Sequence, residues 1–297
     1  MVKDFKWTAV LLLILFIAAC KDTSTEPPVD EPEPITEPSK VLVATYAALR
    51  APDGITIDKD GNLFATNYGN SQVFKIDTLK NVTSFMTNQP GAAGMTFDEN
   101  GIMYLARYDS SDVVRVSADG VILDTVATDI LGPIAVELDN AGNLYINNNI
   151  GPHVSIVDKN GVQSVYATHG LNNNSSLTID DDGNVYLSLY GSGQLLKISS
   201  ADRTVSNFAR LPRGIGFITY SNGFFYATGI RDHKIYRVDL EGKSDVIAGS
   251  GIEGHVDGTG DVAQFSTPIG IVASDDGETL YVAEGGGFIR VITNFRD

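Results

Sequence analysis

Six times along the chain the same phrase returns: two short apolar runs joined by a polar turn that ends on glycine. The marker glycines Gly61, Gly101, Gly142, Gly183, Gly223 and Gly277 are separated by 40, 41, 41, 40 and 54 residues. A period of this length marks a repeat architecture, in which each unit must bury its apolar face against the next. Every unit carries a first run (GITID, GMTFD, IAVEL, SLTID, GIGFI, GIVAS), a second (NLFAT, IMYLA, NLYIN, NVYLS, FFYAT, TLYVA) and a third (QVFKID, VVRVS, HVSIV, LLKIS, KIYRV, FIRVI). Most add a fourth (VTSFM, VILDTV, VQSVYA, TVSNFA, SDVIAG). The runs are rich in Val, Ile, Phe and Tyr, are bounded by Gly, Asn and Asp, and never hold a helical period for ten residues, so they read as strands. Four strands in each of six units predict an all-β fold, a six-bladed β-propeller of four-stranded blades.

The last unit stops after its third strand, at residues 294–297, while VLVATYA at 41–47 precedes the first unit as a strand without a blade. Pairing the two closes the ring and removes the exposed edge of an open stack.

The phrases PDGITIDKDGNLFATNYGNSQVFKID and GSGIEGHVDGTGDVAQFSTPIGIVASDDGETLYVAEGGGFIRVI resemble NHL repeats, and the resemblance covers residues 41–294. It implies a propeller related to gluconolactonase-like and amidating-lyase-like proteins. It carries the fold and leaves the activity open, since such propellers host many functions. It also implies that the long insertion before the last unit holds a structural turn at Asp257-Gly258.

The turn phrases DKDG, DENG, DNAG and DDDG are candidates for architecture or for an ion site. Asp58 can cap a turn through its carboxylate, and Gly61 can take the left-handed conformation that closes a short hairpin. Calcium needs six to eight oxygens, and DENG and DNAG lose carboxylates where an ion would need them. The turns are therefore structural, and function is expected on the opposite face, where the loops after second and fourth strands lie. The string Gly249-Ser250-Gly251-Ile252-Glu253-Gly254 spells a dinucleotide fingerprint, but no helix or βαβ unit follows it, so no nucleotide is expected.

On the loop face, Tyr68, Tyr108, Asn149 and Tyr190 stand four residues past the recurring aromatic of the second run, and Asn67, Arg107, Asn148 and, in the last unit, Glu284 stand three past it. With Asp53, Arg213 and Arg231 they are expected to ring the channel mouth and form an aromatic pocket with a few polar groups, the usual composition of a ligand site. The alternative is solvated loop residues, with tyrosines packed between blades. All four histidines, His153, His169, His233 and His255, fall in connections on this face. Amidating-lyase-like relatives hold zinc with histidines from separate blades, and gluconolactonase-like relatives hold a divalent ion such as calcium with Glu, Asn and Asp. The second resemblance brings Asp53 and Ser175 to such positions, but residues 50–56 contain no glutamate. No G-x-S-x-G elbow is present.

The N-terminus bounds location. Residues 1–19 carry Lys3 and Lys6 ahead of an apolar run too short to span a membrane, the anatomy of a signal peptide. The run ends Ile17-Ala18-Ala19-Cys20, which resembles a lipobox, so Cys20, the only cysteine, is expected to be lipid-modified. Residues 20–40 contain five prolines and six acids, a stiff and self-repelling tether to the propeller at 41–297. Lys21-Asp22 resembles the signal that sends some Gram-negative lipoproteins to the cell surface; a periplasm-facing anchor is the alternative.

The formal charge is −16, and removing residues 1–19, which carry a net +1, leaves −17. That surface repels nucleic acid and anionic lipid, so the lipid must provide the membrane contact, and neutral or cationic partners are favoured. The resulting expectation is a monomeric, lipid-anchored envelope protein whose propeller binds a small molecule, glycan or protein. The alternative is a metal-dependent lactonase or lyase acting on a small extracytoplasmic substrate.

Overall fold

The structure, a computed structural model, describes residues 40–170 and 173–296. The signal segment, Cys20 and the tether up to residue 39 lie outside the described residues. The described chain forms six antiparallel sheets whose innermost strands pack side by side around a central axis. In blade 1 the strands run outward from Ile55–Ile57 through Leu63–Asn67 and Gln72–Ile76 to Val82–Met86. The innermost strands of blades 2 to 6 are Ala92–Phe97, Pro133–Leu138, Asn174–Ile179, Ile215–Ser221 and Pro268–Ala273.

The second strands are largely buried, and Leu63–Asn67, Leu144–Asn148 and Val185–Leu189 are buried along their whole length. Both of their faces are covered by neighbouring blades, so these runs are mostly apolar, and their polar members, Thr66, Asn67 and Ser188 among them, are buried too. The cores lie between blades: Phe64, Val73 and Met86 of blade 1 meet Met95, Met103, Leu105 and Val114 of blade 2. Outermost strands leave Val82, Ile122 and Val165 exposed, as the rim of a propeller must.

Near the axis the blades approach so closely that side chains do not fit. A Cβ at Gly94 would stand 2.7 Å from Ala135 Cα, and one at Gly270 would stand 2.3 Å from the Asp53 carbonyl. The matching position in blade 5 holds Phe217, which packs against the core between blades 5 and 6 and, across the axis, against that between blades 3 and 4.

The ring closes as the orphan strand predicts. Leu42–Ala48 pairs antiparallel with Phe288–Thr293, running from Leu42 opposite Thr293 to Ala48 opposite Phe288 with a bulge between Thr45 and Ala47. One element was not foreseen: Gly258–Thr259 of the insertion adds a fifth strand outside Leu42–Val43, so the last blade is wider than the others.

The polar turns are the caps the spacing calls for. Asp58 accepts from the Asp60 and Asn62 amides at 3.0 and 2.8 Å, and Gly61, at φ +80°, donates to the Asp58 carbonyl at 3.0 Å. Asp98, Asp139 and Asp180 repeat this arrangement.

Candidate functional site

On the face opposite these turns a cavity of about 330 Å³ opens at the channel mouth, lined by Asp53, Gly54, Tyr68, Ala93, Tyr108, Ile134, Asn149, Phe217 and Ile269. Two structural positions build it. The first lies two residues before the register marker of each innermost strand. Ile55, Met95, Val136, Leu177, Ile218 and Ile271 occupy equivalent pairing positions, so the ring two residues earlier is Asp53, Ala93, Ile134, Ser175, Gly216 and Ile269. The second is the residue just past each second strand: Tyr68, Tyr108, Asn149, Tyr190, Ile230 and Gly285.

The rim is cross-braced. The Tyr68 and Tyr108 rings meet edge to face at 5.7 Å; the Tyr108 hydroxyl donates to Asn149 at 3.1 Å and the Tyr68 hydroxyl to Asp109 at 3.0 Å. Asn149 in turn donates to the Asn174 carbonyl at 2.7 Å. Asp53 stands inside this frame and takes the Tyr68 amide on Oδ2 at 2.7 Å. Burial among apolar walls pushes its carboxyl above the ordinary range, against the lowering effect of that hydrogen bond. Tyr190 belongs to the same ring of positions but faces Arg231, whose guanidinium lies 5.1 Å over its ring with Nε 3.2 Å from its hydroxyl.

The neighbouring set points the other way, because adjacent residues of an extended strand project to opposite sides. Asn67 donates to the Arg50 carbonyl at 2.6 Å and receives the Asn70 amide. Asn148 is buried, accepting from the Leu131 amide and donating to Ser155. Arg107 pairs with Asp112 across its own hairpin at 2.5 and 2.8 Å.

Glu284 is fully buried against the equally buried Arg290 at 3.1 Å. Arg290 also reaches Asp257 at 2.7 Å and the carbonyls of Gln264 and Val256. Asp257 accepts the amide and hydroxyl of Thr45, so this network straps the insertion to the closing strand. The turn role implied for Asp257-Gly258 is thus extended by an ion pair. Burial pushes Glu284 up to about 7 in spite of Arg290.

The histidines occupy three places. His153 and His169 are neighbours in blade 3, and burial lowers the pKa of His169 with a further push from His153. His233 sits in a left-handed turn of blade 5. His255 stacks on Phe288 at 3.6 Å, with Glu284 3.4 Å from its Nδ1 and the Thr45 hydroxyl 3.0 Å from its Nε2. Among the described residues no three His, Cys, Asp or Glu side chains come together in a metal-binding group. The axial ring offers one carboxylate among Ala, Ile, Ser and Gly, a donor set that does not fit the divalent ion of gluconolactonase-like propellers.

No protein-family model matches the chain, and no curated protein matches it in sequence. Solved structures share its shape. An auxiliary nutrient binding protein from Bacteroides ovatus aligns with a TM-score of 0.75 at 15% identity, over 86% of this chain and 77% of that one. A gluconolactonase from Xanthomonas campestris gives 0.72 at 13% identity over 90% and 96%. A virginiamycin B lyase from Staphylococcus aureus gives 0.63 at 15% identity over 86% and 99%. The likeness is one of fold, the six-bladed propeller that the repeats imply.

Proposed function

We propose that this chain is an exported, lipid-anchored protein of the bacterial envelope whose propeller retains a small ligand at the channel mouth without transforming it. The observation that carries the reading is the cavity: apolar walls, two braced tyrosines and a single carboxylate in a concave opening of ligand size. Loop residues presented by a rigid ring are where binding is commonly built. The nearby charges that could serve chemistry, Arg107, Glu284 and Arg290, are committed to internal ion pairs. Nutrient-binding propellers of the same shape make retention of a solute at the envelope a coherent role, and the lipobox-like segment ending at Cys20 supplies the anchor. Lys21-Asp22 favours the surface of a Gram-negative outer membrane as the destination, with the propeller acting as a monomer.

Tyr108→Ala removes one wall of the cavity. The expected result is loss of about tenfold or more in affinity for whatever solute co-purifies with the full chain, detected by native mass spectrometry, with the thermal midpoint little changed. Retention of that solute at full affinity would overturn the assignment of the cavity; turnover of the solute by the purified protein would replace binding with catalysis. The anchor is tested separately. Cys20→Ser is expected to move the protein from the membrane to the soluble fraction or to stall its processing, and unchanged fractionation and maturation would refute it.

A further inference from the structure

The cavity has a chemical bias that narrows its ligand. Its polar groups are already occupied with one another: the Tyr68 hydroxyl by Asp109, the Tyr108 hydroxyl by Asn149 and the Asn149 amide by Asn174. A sugar or other polyol, which must exchange many hydrogen bonds with its site, would find few free partners here. Asp53 differs from these groups. Oδ2 is held by the Tyr68 amide, while Oδ1 has no hydrogen-bond partner among the described residues.

Among the described residues no cation is paired with this carboxylate. Two basic side chains of the mouth are engaged elsewhere: Arg107 is paired with Asp112, and Arg231 lies on Tyr190. Ala93, Ile134, Phe217 and Ile269 surround the carboxylate, so it is partly desolvated and uncompensated. Around it the whole chain carries −16, which raises the local concentration of cations rather than anions. The adjacent tyrosine rings add a surface that attracts an ammonium group and also accommodates a hydrocarbon body.

We infer that the ligand is an organic cation, a protonated amine with an apolar or aromatic body, whose ammonium sits on Asp53 Oδ1 and whose body fills the space between Tyr68, Tyr108, Ile134, Phe217 and Ile269. This rests on the reading of the cavity as a ligand site and specifies what that site takes. One carboxylate with apolar walls satisfies an ammonium, whereas a divalent metal would need several more oxygens.

Three probes of one shape separate the possibilities: phenethylammonium, neutral 2-phenylethanol and anionic 3-phenylpropionate, each titrated calorimetrically into the full chain purified in detergent. Phenethylammonium is expected to bind about ten- to a hundredfold more tightly than 2-phenylethanol, the factor of a charge-assisted hydrogen bond, and 3-phenylpropionate least. Asp53→Asn, which keeps an acceptor for the Tyr68 amide, is expected to bring the cation and the alcohol to within about threefold. The comparison of probes in the unaltered protein stands even if that variant is unstable.

Equal binding of the cation and the alcohol, or a preference that survives in Asp53→Asn, overturns the inference while leaving the cavity a ligand site. Displacement of phenethylammonium by equimolar calcium or zinc overturns it in favour of an ion site. Failure of all three probes at millimolar concentration removes the underlying reading together with the inference.

Discussion

Removing the closing strand is the severest local test of how the ring holds together. A chain beginning at Arg50 lacks Val41, Val43, Ala47 and Leu49, which are 9, 2, 8 and 5% exposed. Val43 packs in the last blade with Leu280, Ile292 and Phe295; Ala47 and Leu49 pack with Ile289 and with Ile55 and Leu63 of blade 1. At about 1.5–3 kcal/mol for each fully buried Val or Leu, the apolar loss is roughly 5–9 kcal/mol, an upper figure because unfolded chains already bury some of this surface. The strand's backbone hydrogen bonds are worth about 0.5–1.5 kcal/mol each, and ordering each residue costs about 1–2 kcal/mol, so those two contributions nearly cancel. A net loss of about 5 kcal/mol is comparable with the whole stability of many domains.

With an m-value of about 3 kcal/mol/M, that loss moves the urea midpoint down by roughly 1.5–2 M relative to a chain beginning at Lys40. The assay is equilibrium unfolding of both chains by far-ultraviolet circular dichroism and tyrosine fluorescence. The shorter chain also exposes the edge of Phe288–Thr293, so it is expected to aggregate, and a peptide spanning residues 41–49 should restore the transition by adding the strand in trans. Coincident midpoints for the two chains, or a peptide without effect on an unstable shorter chain, would refute closure as the source of this stability.

Three further outcomes follow from the same geometry. Asp180→Ala strips a buried carboxylate of the Asp182 and Asn184 amides, the Asn184 side chain and the Tyr186 hydroxyl, and should cost about 2–4 kcal/mol in chemical unfolding. Asp60→Asn, at an exposed turn position whose side chain caps nothing, should stay within about 0.5 kcal/mol. The third outcome concerns Glu284, whose folded-state pKa lies above its ordinary value of 4.5, so its contribution to stability is complete below about pH 4.5 and is lost as pH rises through about 7. His255 works in the opposite sense at lower pH, since burial and Arg290 hold its imidazole neutral, so the informative comparison is variant against parent. Glu284→Gln should flatten the decline in stability between pH 6 and 8 by about 1–2 kcal/mol, and parallel curves for the two proteins would show that Glu284 does not titrate there.

What could be read in the sequence was whatever recurs. The marker glycines and the capping aspartates repeat because every blade needs the same hairpin, and six copies made the period visible even where blade 5 shortens its turn to Asn222-Gly223. The tyrosines at 68 and 108 could be placed at the mouth because they follow second strands at a constant offset. The neighbouring set, Asn67, Arg107, Asn148 and Glu284, was harder to interpret. Adjacent positions of a strand end look equally loop-like in sequence, and only the pleat decides that one faces the channel and the other the blade.

The Glu284–Arg290–Asp257 network was unreadable for a different reason. It occurs once and joins segments 33 and 212 residues apart, from Asp257 to Arg290 and to Thr45, and its partners come from an insertion without a counterpart in other blades. Phe217 was hidden by the repeat itself, standing where three other blades need glycine. The pattern constrains blades 1, 2 and 6 at that position because their inner strands nearly touch. In blade 5 a large ring enters the channel instead, and this departure supplies one of the apolar walls of the cavity. Regularity therefore reports the scaffold, and the places where one blade departs from the others are where a ligand can distinguish this propeller from the rest of its fold.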